Sequence, residues 1–153
     1  MSKIFETSED IVKLAEEKWS ETGLEHIGIN IKYLSVPKSK TILKAQRASA
    51  TTNFLTKKDV IITVFEEAFE RLTDEHKNLL LEGCMSNISY DAEKDKLNVE
   101  TDFAKEIFRM RHKYPNYVDV AEESLLIIES IEDEERRRKE EEKLAKKEKK
   151  NKK

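Results

Sequence analysis

Side chains that could attack a substrate or bind a metal ion are few in this chain. They are one cysteine, Cys84, and three histidines, His26, His76 and His112. A catalytic cysteine needs a histidine base beside it, and a metal centre needs several ligands that converge. Cys84 stands in a row of apolar residues spaced one helical turn apart, which favours a buried, unreactive thiol. The histidines are expected on separate elements, so surface histidines are favoured, and a metal-dependent hydrolase with a relocated site is the alternative.

Three alternating carboxylates, Asp91, Glu93 and Asp95, have a spacing that could bind calcium. The segment lacks the glycine and the closing glutamate of an EF-hand loop, and the lysines between and after these carboxylates oppose a cation. A solvated turn is therefore favoured. The chain has only three glycines, which are too scattered to form a loop that cradles phosphate.

The elements that must position these residues follow from apolar periodicity and turn residues. The pattern predicts a helix between Thr7 and Gly23, strands over residues 27–33, 41–49 and 59–65, a helix opened by Thr73 and ending near Ser89, a short strand over 97–99, a helix capped by Thr101, and a last helix from Tyr117. This order predicts an α+β fold with a small three- to four-stranded sheet packed with helices.

Burial is predicted to be uneven across these elements. The β-branched run over 59–65 should be the best-buried strand, whereas the polar run over 41–49 should lie at or near an edge. The core helix should pack on the sheet through two apolar rows. The residues expected at this contact are Leu80, Leu81, Cys84, Met85 and Ile88 on the helix and Val60, Ile62 and Val64 on the sheet. The apolar positions of the last two helices include Phe103, Ile107, Phe108 and Met110, then Val118, Ala121, Leu125, Ile128 and Ile131.

Charge divides the chain of 153 residues into two parts, a domain over 1–131 and a charged helical extension with a lysine-rich tail over 132–153. The second part has 11 Lys/Arg against 8 Asp/Glu, so it carries +3 and the first part −6 of the overall −3. An acidic body argues against a nucleic-acid-binding face there. Candidate contacts to a partner or to nucleic acid lie in the extension: Arg136, Arg137, Arg138, Lys146, Lys147, Lys149 and Lys150.

The N-terminus has no apolar stretch typical of a signal peptide, and no run approaches the ~20 apolar residues that span a bilayer. We therefore expect a soluble protein that stays in the cytoplasm, with no membrane partner. The single cysteine excludes an internal disulfide and suits a reducing compartment.

Four segments together resemble the phage metallopeptidase family, a zincin-like domain found in tailed bacteriophages. They are KSKTILKAQRAS, DVIITV, FEEAFERLTDEHKNLLLEG and FAKEIFRMRHKYP, and the resemblance covers about residues 27–114. The phrase FERLTDEHKNLLLE is its most specific part, because it resembles the lead-in to that family's zinc-binding helix.

The resemblance also implies where a metal site would lie. In that family the leucines precede H-E-x-x-H, in which two histidines one turn apart bind zinc and the glutamate acts as base. These positions fall on Gly83, Cys84 and Asn87, and a further histidine ligand falls on Thr101, with Asp102 retained as its neighbour. No position keeps its ligand, and a single thiolate at Cys84 gives no three-ligand site.

The resemblance therefore predicts a catalytically silent domain without a metal cofactor, which acts by binding. Its partner would be a phage or host protein, and it would lie in the host cytoplasm or in the virion. The long C-terminal helix is the expected partner surface. A nucleic-acid-associated protein that uses the basic tail is the alternative, and the oligomeric state is left open.

Overall fold

The computed structural model describes residues 3–151 of the chain. These residues form an α+β fold with six α-helices, a four-stranded mixed sheet and a two-stranded hairpin. In chain order the elements are β1 (Phe5–Glu6), α1 (Glu9–Thr22), β2 (Ile31–Ser35), β3 (Leu43–Arg47), α2 (Ala50–Thr56), β4 (Val60–Val64), α3 (Glu66–Glu70), α4 (Asp74–Ser86), β5 (Ile88–Asp91), β6 (Lys96–Val99), α5 (Phe103–Lys113) and α6 (Tyr117–Asn151).

The sheet has the order β1-β2-β4-β3. β2 and β4 run parallel, with Ile31 opposite Val60, while β1 and β3 pair antiparallel to their neighbours. Val60 and Ile62 of β4 are fully buried, because this strand lies between two others and one of its faces points into the apolar core. The prediction of β4 as the best-buried strand is confirmed, as is the edge position of the polar strand β3.

Helix α4 begins as its sequence predicts, with the Thr73 hydroxyl accepting a hydrogen bond from the His76 N–H at 3.2 Å. All five residues predicted on the helix side of the sheet contact are buried: Leu80, Leu81, Cys84, Met85 and Ile88. The helix ends at Ser86, and the prediction that it runs to Ser89 is wrong. Ile88 instead opens β5 and pairs with Val99 of β6, which completes the hairpin around the predicted polar turn.

One strand bound near the sheet is corrected, and two elements there were not predicted. The strand predicted from residue 27 begins at Ile31, because Leu24–Ile27 form a 3₁₀ turn that ends at Gly28 with φ of 90°. Helix α2 was not predicted, because it buries no residue and is held by the Ser49 cap. Strand β1 was not predicted either, since two exposed residues give no periodicity.

Helix α6 is a single helix of 35 residues, whose first part packs in the core and whose second part forms the extension. Its first turns bury Tyr117, Val120, Ala121, Ser124, Ile128 and Ile131. Ala121, Ile128 and Ile131 are buried as predicted, whereas Val118 and Leu125 are 37% and 51% exposed. On α5, Met110 is buried as predicted, whereas Phe108 is 58% exposed.

Two ion pairs hold the start of the extension to the body. Arg71 donates to the Glu134 carboxylate at 2.8 and 3.2 Å, and Lys38 lies 3.8 Å from Glu135. Beyond these pairs the helix is exposed to Asn151. Within residues 3–151, no helix combines the length and the apolar character needed to cross a bilayer.

Candidate functional site

Gly83 lies on the inner face of α4, at a point where helix α6 leaves no room for a side chain. A Cβ atom built on Gly83 would overlap the Tyr117 hydroxyl oxygen and lie 2.8 Å from the ring carbon Cζ. Tyr117 is fully buried at the first residue of α6, so it cannot simply swing into solvent. The Tyr117 hydroxyl therefore occupies the space that a ligand at position 83 would need.

The Tyr117 hydroxyl belongs to a buried hydrogen-bond network centred on Glu106 of α5. The hydroxyl donates to Glu106 Oε2 at 2.6 Å, and Asn87 Nδ2 donates to Glu106 Oε1 at 2.7 Å. Glu106 is only 5% exposed. Both carboxylate oxygens thus have a donor, which is the condition for burying such a group at tolerable cost.

Arg109 fixes the orientation of Asn87 from the outer side of this network. Its Nη1 donates to Asn87 Oδ1 at 3.1 Å and to the Ser86 backbone oxygen and hydroxyl at 3.0 and 2.8 Å. The Asn87 amide oxygen therefore faces a cation and its NH₂ faces Glu106. An oxygen held against a guanidinium is poorly placed to bind a metal cation.

Burial dominates the electrostatics of the network. It raises the pKa of Glu106 above the ordinary glutamate value, while the hydrogen bonds from Tyr117 and Asn87 and the charge of Arg109 lower it in part. The pKa of Tyr117 is raised strongly, first by burial and then by Glu106. The hydroxyl proton thus stays on Tyr117, where the network needs a donor.

Cys84 stands at the position that the resemblance assigns to the catalytic base. It is 2% exposed, and its pKa is raised strongly by burial and then by the nearby Glu106 charge. A nucleophilic or metal-binding cysteine must be a thiolate. This environment favours the protonated thiol, in agreement with the predicted buried, unreactive side chain.

Thr101, the position assigned to a further ligand, is exposed just before α5. The prediction that Thr101 caps this helix is wrong. Asp102 is the cap, and its Oδ1 accepts a hydrogen bond from the Ala104 N–H at 3.0 Å. The presence of Asp102, which the resemblance retains beside the ligand position, is thus explained by helix capping.

The three histidines lie on different elements, as expected. His26 is in the 3₁₀ turn, His76 in the first turn of α4 beside Glu123 of α6, and His112 near the end of α5 edge-on to Phe108. Within residues 3–151, no group of three or more His, Cys, Asp or Glu side chains is placed to hold a metal ion.

The residues at the assigned zinc position do not fit a zinc ion. Position 83 offers no ligand atom, and both Asn87 and Glu106 have their oxygen atoms engaged by protein donors. An adjoining, mainly apolar cavity of about 40 Å³ is lined by residues that include Leu80, Cys84, Glu106 and Ser124. Helix α6 contributes Ala121, Ser124, Leu125 and Ile128 to the lining of this cavity.

Sequence reasoning missed the two residues that complete this site, Glu106 and Tyr117. A signal for Glu106 was present, because it lies three residues after Phe103 and four before Met110, within the apolar stripe of α5. A carboxylate in such a stripe indicates a buried partner. The placement of Tyr117 against Gly83 had no comparable signal, since it depends on how α6 crosses α4.

The comparisons with known proteins are consistent with this fold. No curated protein and no solved structure matches the chain. A family model described as "Putative phage metallopeptidase" matches residues 3–146, which is nearly the whole chain and extends well beyond the resemblance seen in the sequence. The chain therefore belongs to the phage metallopeptidase family.

Proposed function

We propose that this chain is a non-catalytic member of its family, whose metallopeptidase-like domain acts as a binding or structural module. The observation that carries the proposal is the position of the Tyr117 hydroxyl, which a Cβ on Gly83 would overlap. A zinc site of the H-E-x-x-H type needs an imidazole there. The space is instead used by a hydrogen-bonded side chain of α6.

Two further observations support the proposal. The Cys84 thiol replaces a carboxylate that would act as general base, and it is buried and protonated. The remaining polar atoms form a closed network among Glu106, Asn87 and Tyr117, which stabilises the packing of α4, α5 and α6. The polar atoms of the site are thereby explained as structural.

A metal measurement tests the proposal. Protein purified without chelator and dialysed is expected to contain far less than one zinc per chain by plasma mass spectrometry, and to show no chelator-sensitive peptidase activity. The matched variant is Asn87→Ala/Cys84→Ala, which removes two potential ligand atoms. One zinc per chain in the wild type, lost in this variant together with a peptidase activity, would sink the proposal.

The protein-binding surface proposed for this module is the face of the exposed part of α6 that carries Glu141, with a phage protein or a host factor as partner, in the virion or in the host cytoplasm. It is supported by exposure from Arg136 to Asn151 on a continuous helix that contacts the body through Glu134. A photo-crosslinking residue at Glu141 is expected to capture partners during infection. The same residue at Lys13, exposed on α1, is the control, and equal capture from both positions would contradict the choice of surface.

A further inference from the structure

The cations of the extension are not spread evenly around α6. Each residue of an α-helix is turned by about 100° around the helix axis from the one before it. On this basis six cations of the extension lie within a sector of the helix surface about 100° wide. They are Arg136, Lys139, Lys143, Lys146, Lys147 and Lys150, here called the basic stripe. Every position of residues 136–150 that falls in this sector is a cation, whereas Glu140, Glu141, Glu142 and Glu148 fall outside it. All six side chains are exposed.

Most of the basic stripe is free to bind an anion. Within residues 3–151, only two cations of the basic stripe take part in ion pairs. No ion pair is formed by Lys143, Lys146, Lys147 or Lys150. Arg136 contacts Asp133, and Lys139 lies 3.3 Å from Glu135. Both are pairs within one exposed helix, so a stronger anion can displace them at little cost.

The geometry of the basic stripe suits a polyanion with regularly spaced charges. From Arg136 to Lys150 the helix rises about 21 Å, with a cation at almost every turn. Phosphates on one strand of B-form DNA rise about 3.4 Å each, so about six phosphates span the same length. The numbers of cations and of phosphates are thus comparable.

The chemistry of the basic stripe distinguishes nucleic acid from an acidic protein. Protein interfaces depend on buried aromatic or aliphatic anchors, and the stripe contains none, because Leu144 lies on another face of the helix. Interfaces with nucleic acid are polar and strongly positive. We propose that the basic stripe binds the sugar–phosphate backbone of nucleic acid without sequence preference. The net −6 of residues 1–131 confines this contact to the extension.

The helix provides a matched control for this proposal. Arg137 and Arg138 belong to the same exposed segment, but around the helix axis each lies about 100° or more from the centre of the basic stripe. The variants Lys143→Gln/Lys147→Gln and Arg137→Gln/Arg138→Gln therefore remove equal charge from different faces. Glutamine keeps the helical preference, and circular dichroism checks that both full-length variants fold like the wild type.

The experiment measures binding of the full chain to a fluorescent DNA duplex of arbitrary sequence, by anisotropy over a series of salt concentrations. Removing two phosphate contacts should make the slope of log K against log salt shallower by about 1.8 and weaken binding by about tenfold or more at low salt. The off-stripe variant should keep the wild-type slope. Equal losses in the two variants, or no binding by the wild type at low salt, would overturn the proposal.

Polyglutamate serves as the probe for an acidic protein. If it binds the wild type as tightly as DNA does, and the stripe variant weakens both ligands equally, the surface recognises carboxylates as well as phosphates, and the proposal of a nucleic-acid site is overturned. Binding to DNA that exceeds binding to polyglutamate, with loss confined to the stripe variant, supports it. These outcomes are independent of the zinc measurement.

Discussion

Replacing Gly83 by alanine tests the packing that closes the candidate site. On an ordinary helix this change is stabilising by about 1 kcal/mol, because alanine is the better helix former. Here the added Cβ would overlap the Tyr117 hydroxyl oxygen and lie 2.8 Å from Cζ, an approach closer than side-chain carbons make in folded proteins. The tyrosine ring or the α4 backbone must therefore move.

The expected magnitude follows from these contacts. Overpacking a core typically costs about 1–3 kcal/mol, and moving the Tyr117 hydroxyl away from Glu106 loses a hydrogen bond to a carboxylate, about 1.5–3 kcal/mol. Subtracting the helical gain leaves a net loss of about 1.5–5 kcal/mol in the free energy of unfolding. Equilibrium urea unfolding followed by circular dichroism measures it.

A double-mutant cycle with Tyr117→Phe identifies the cause. This second substitution removes the overlapping hydroxyl oxygen, so Gly83→Ala should destabilise the Tyr117→Phe variant less than the wild type, with a coupling of about 1–2 kcal/mol. Gly23→Ala is the matched control, because Gly23 has open space but a left-handed φ of 77°. It should cost about 1 kcal/mol in both backgrounds. A Gly83→Ala protein as stable as the wild type or more stable would refute the packing.

Three further predictions concern the network and the thiol. Burial raises the folded-state pKa of Glu106, so its contribution to stability is fully present below the unfolded pKa and is lost as pH rises through the folded value. Glu106→Gln should therefore gain stability relative to the wild type in urea titrations as the pH rises above about 4, the ordinary glutamate value, and a loss over that interval would contradict the prediction. Asn87→Ala leaves one Glu106 oxygen without its donor and should destabilise by about 1–3 kcal/mol near neutral pH, with an unchanged unfolding midpoint as the contrary result. Cys84 should react with a thiol reagent only after unfolding, so rapid labelling of the native protein would show that the thiol is accessible.

The sequence predicted those elements whose local signals agree with their tertiary setting. Thr73 with two apolar rows indicated α4, and the β-branched run indicated β4, because capping and burial depend on residues near in the chain. The α6 extension followed from acidic residues four positions before basic ones. Of the five apolar positions predicted to pack on its inner half, Ala121, Ile128 and Ile131 are buried, whereas Val118 and Leu125 are exposed.

Other features depend on contacts that local patterns do not encode. Helix α2 buries no residue, and hydrogen bonds of Ser49 and Asn53 help to hold it in place. The resemblance assigned Gly83 and Asn87 to ligand positions, and the structure brings Gly83 to Tyr117 and Asn87 to Glu106. These contacts join residues at α4, α5 and α6. They depend on how the three helices cross and not on the residue spacing within a single helix.

The contact between Gly83 and Tyr117 also limits the routes by which this chain could change. Adding an imidazole at position 83 alone would drive it into a buried ring, whereas removing Tyr117 alone would leave the Glu106 carboxylate short of a donor and open a void under α6. Each single step is thus unfavourable before the second occurs. The two positions are therefore coupled, and a histidine at position 83 would require a compensating change at Tyr117.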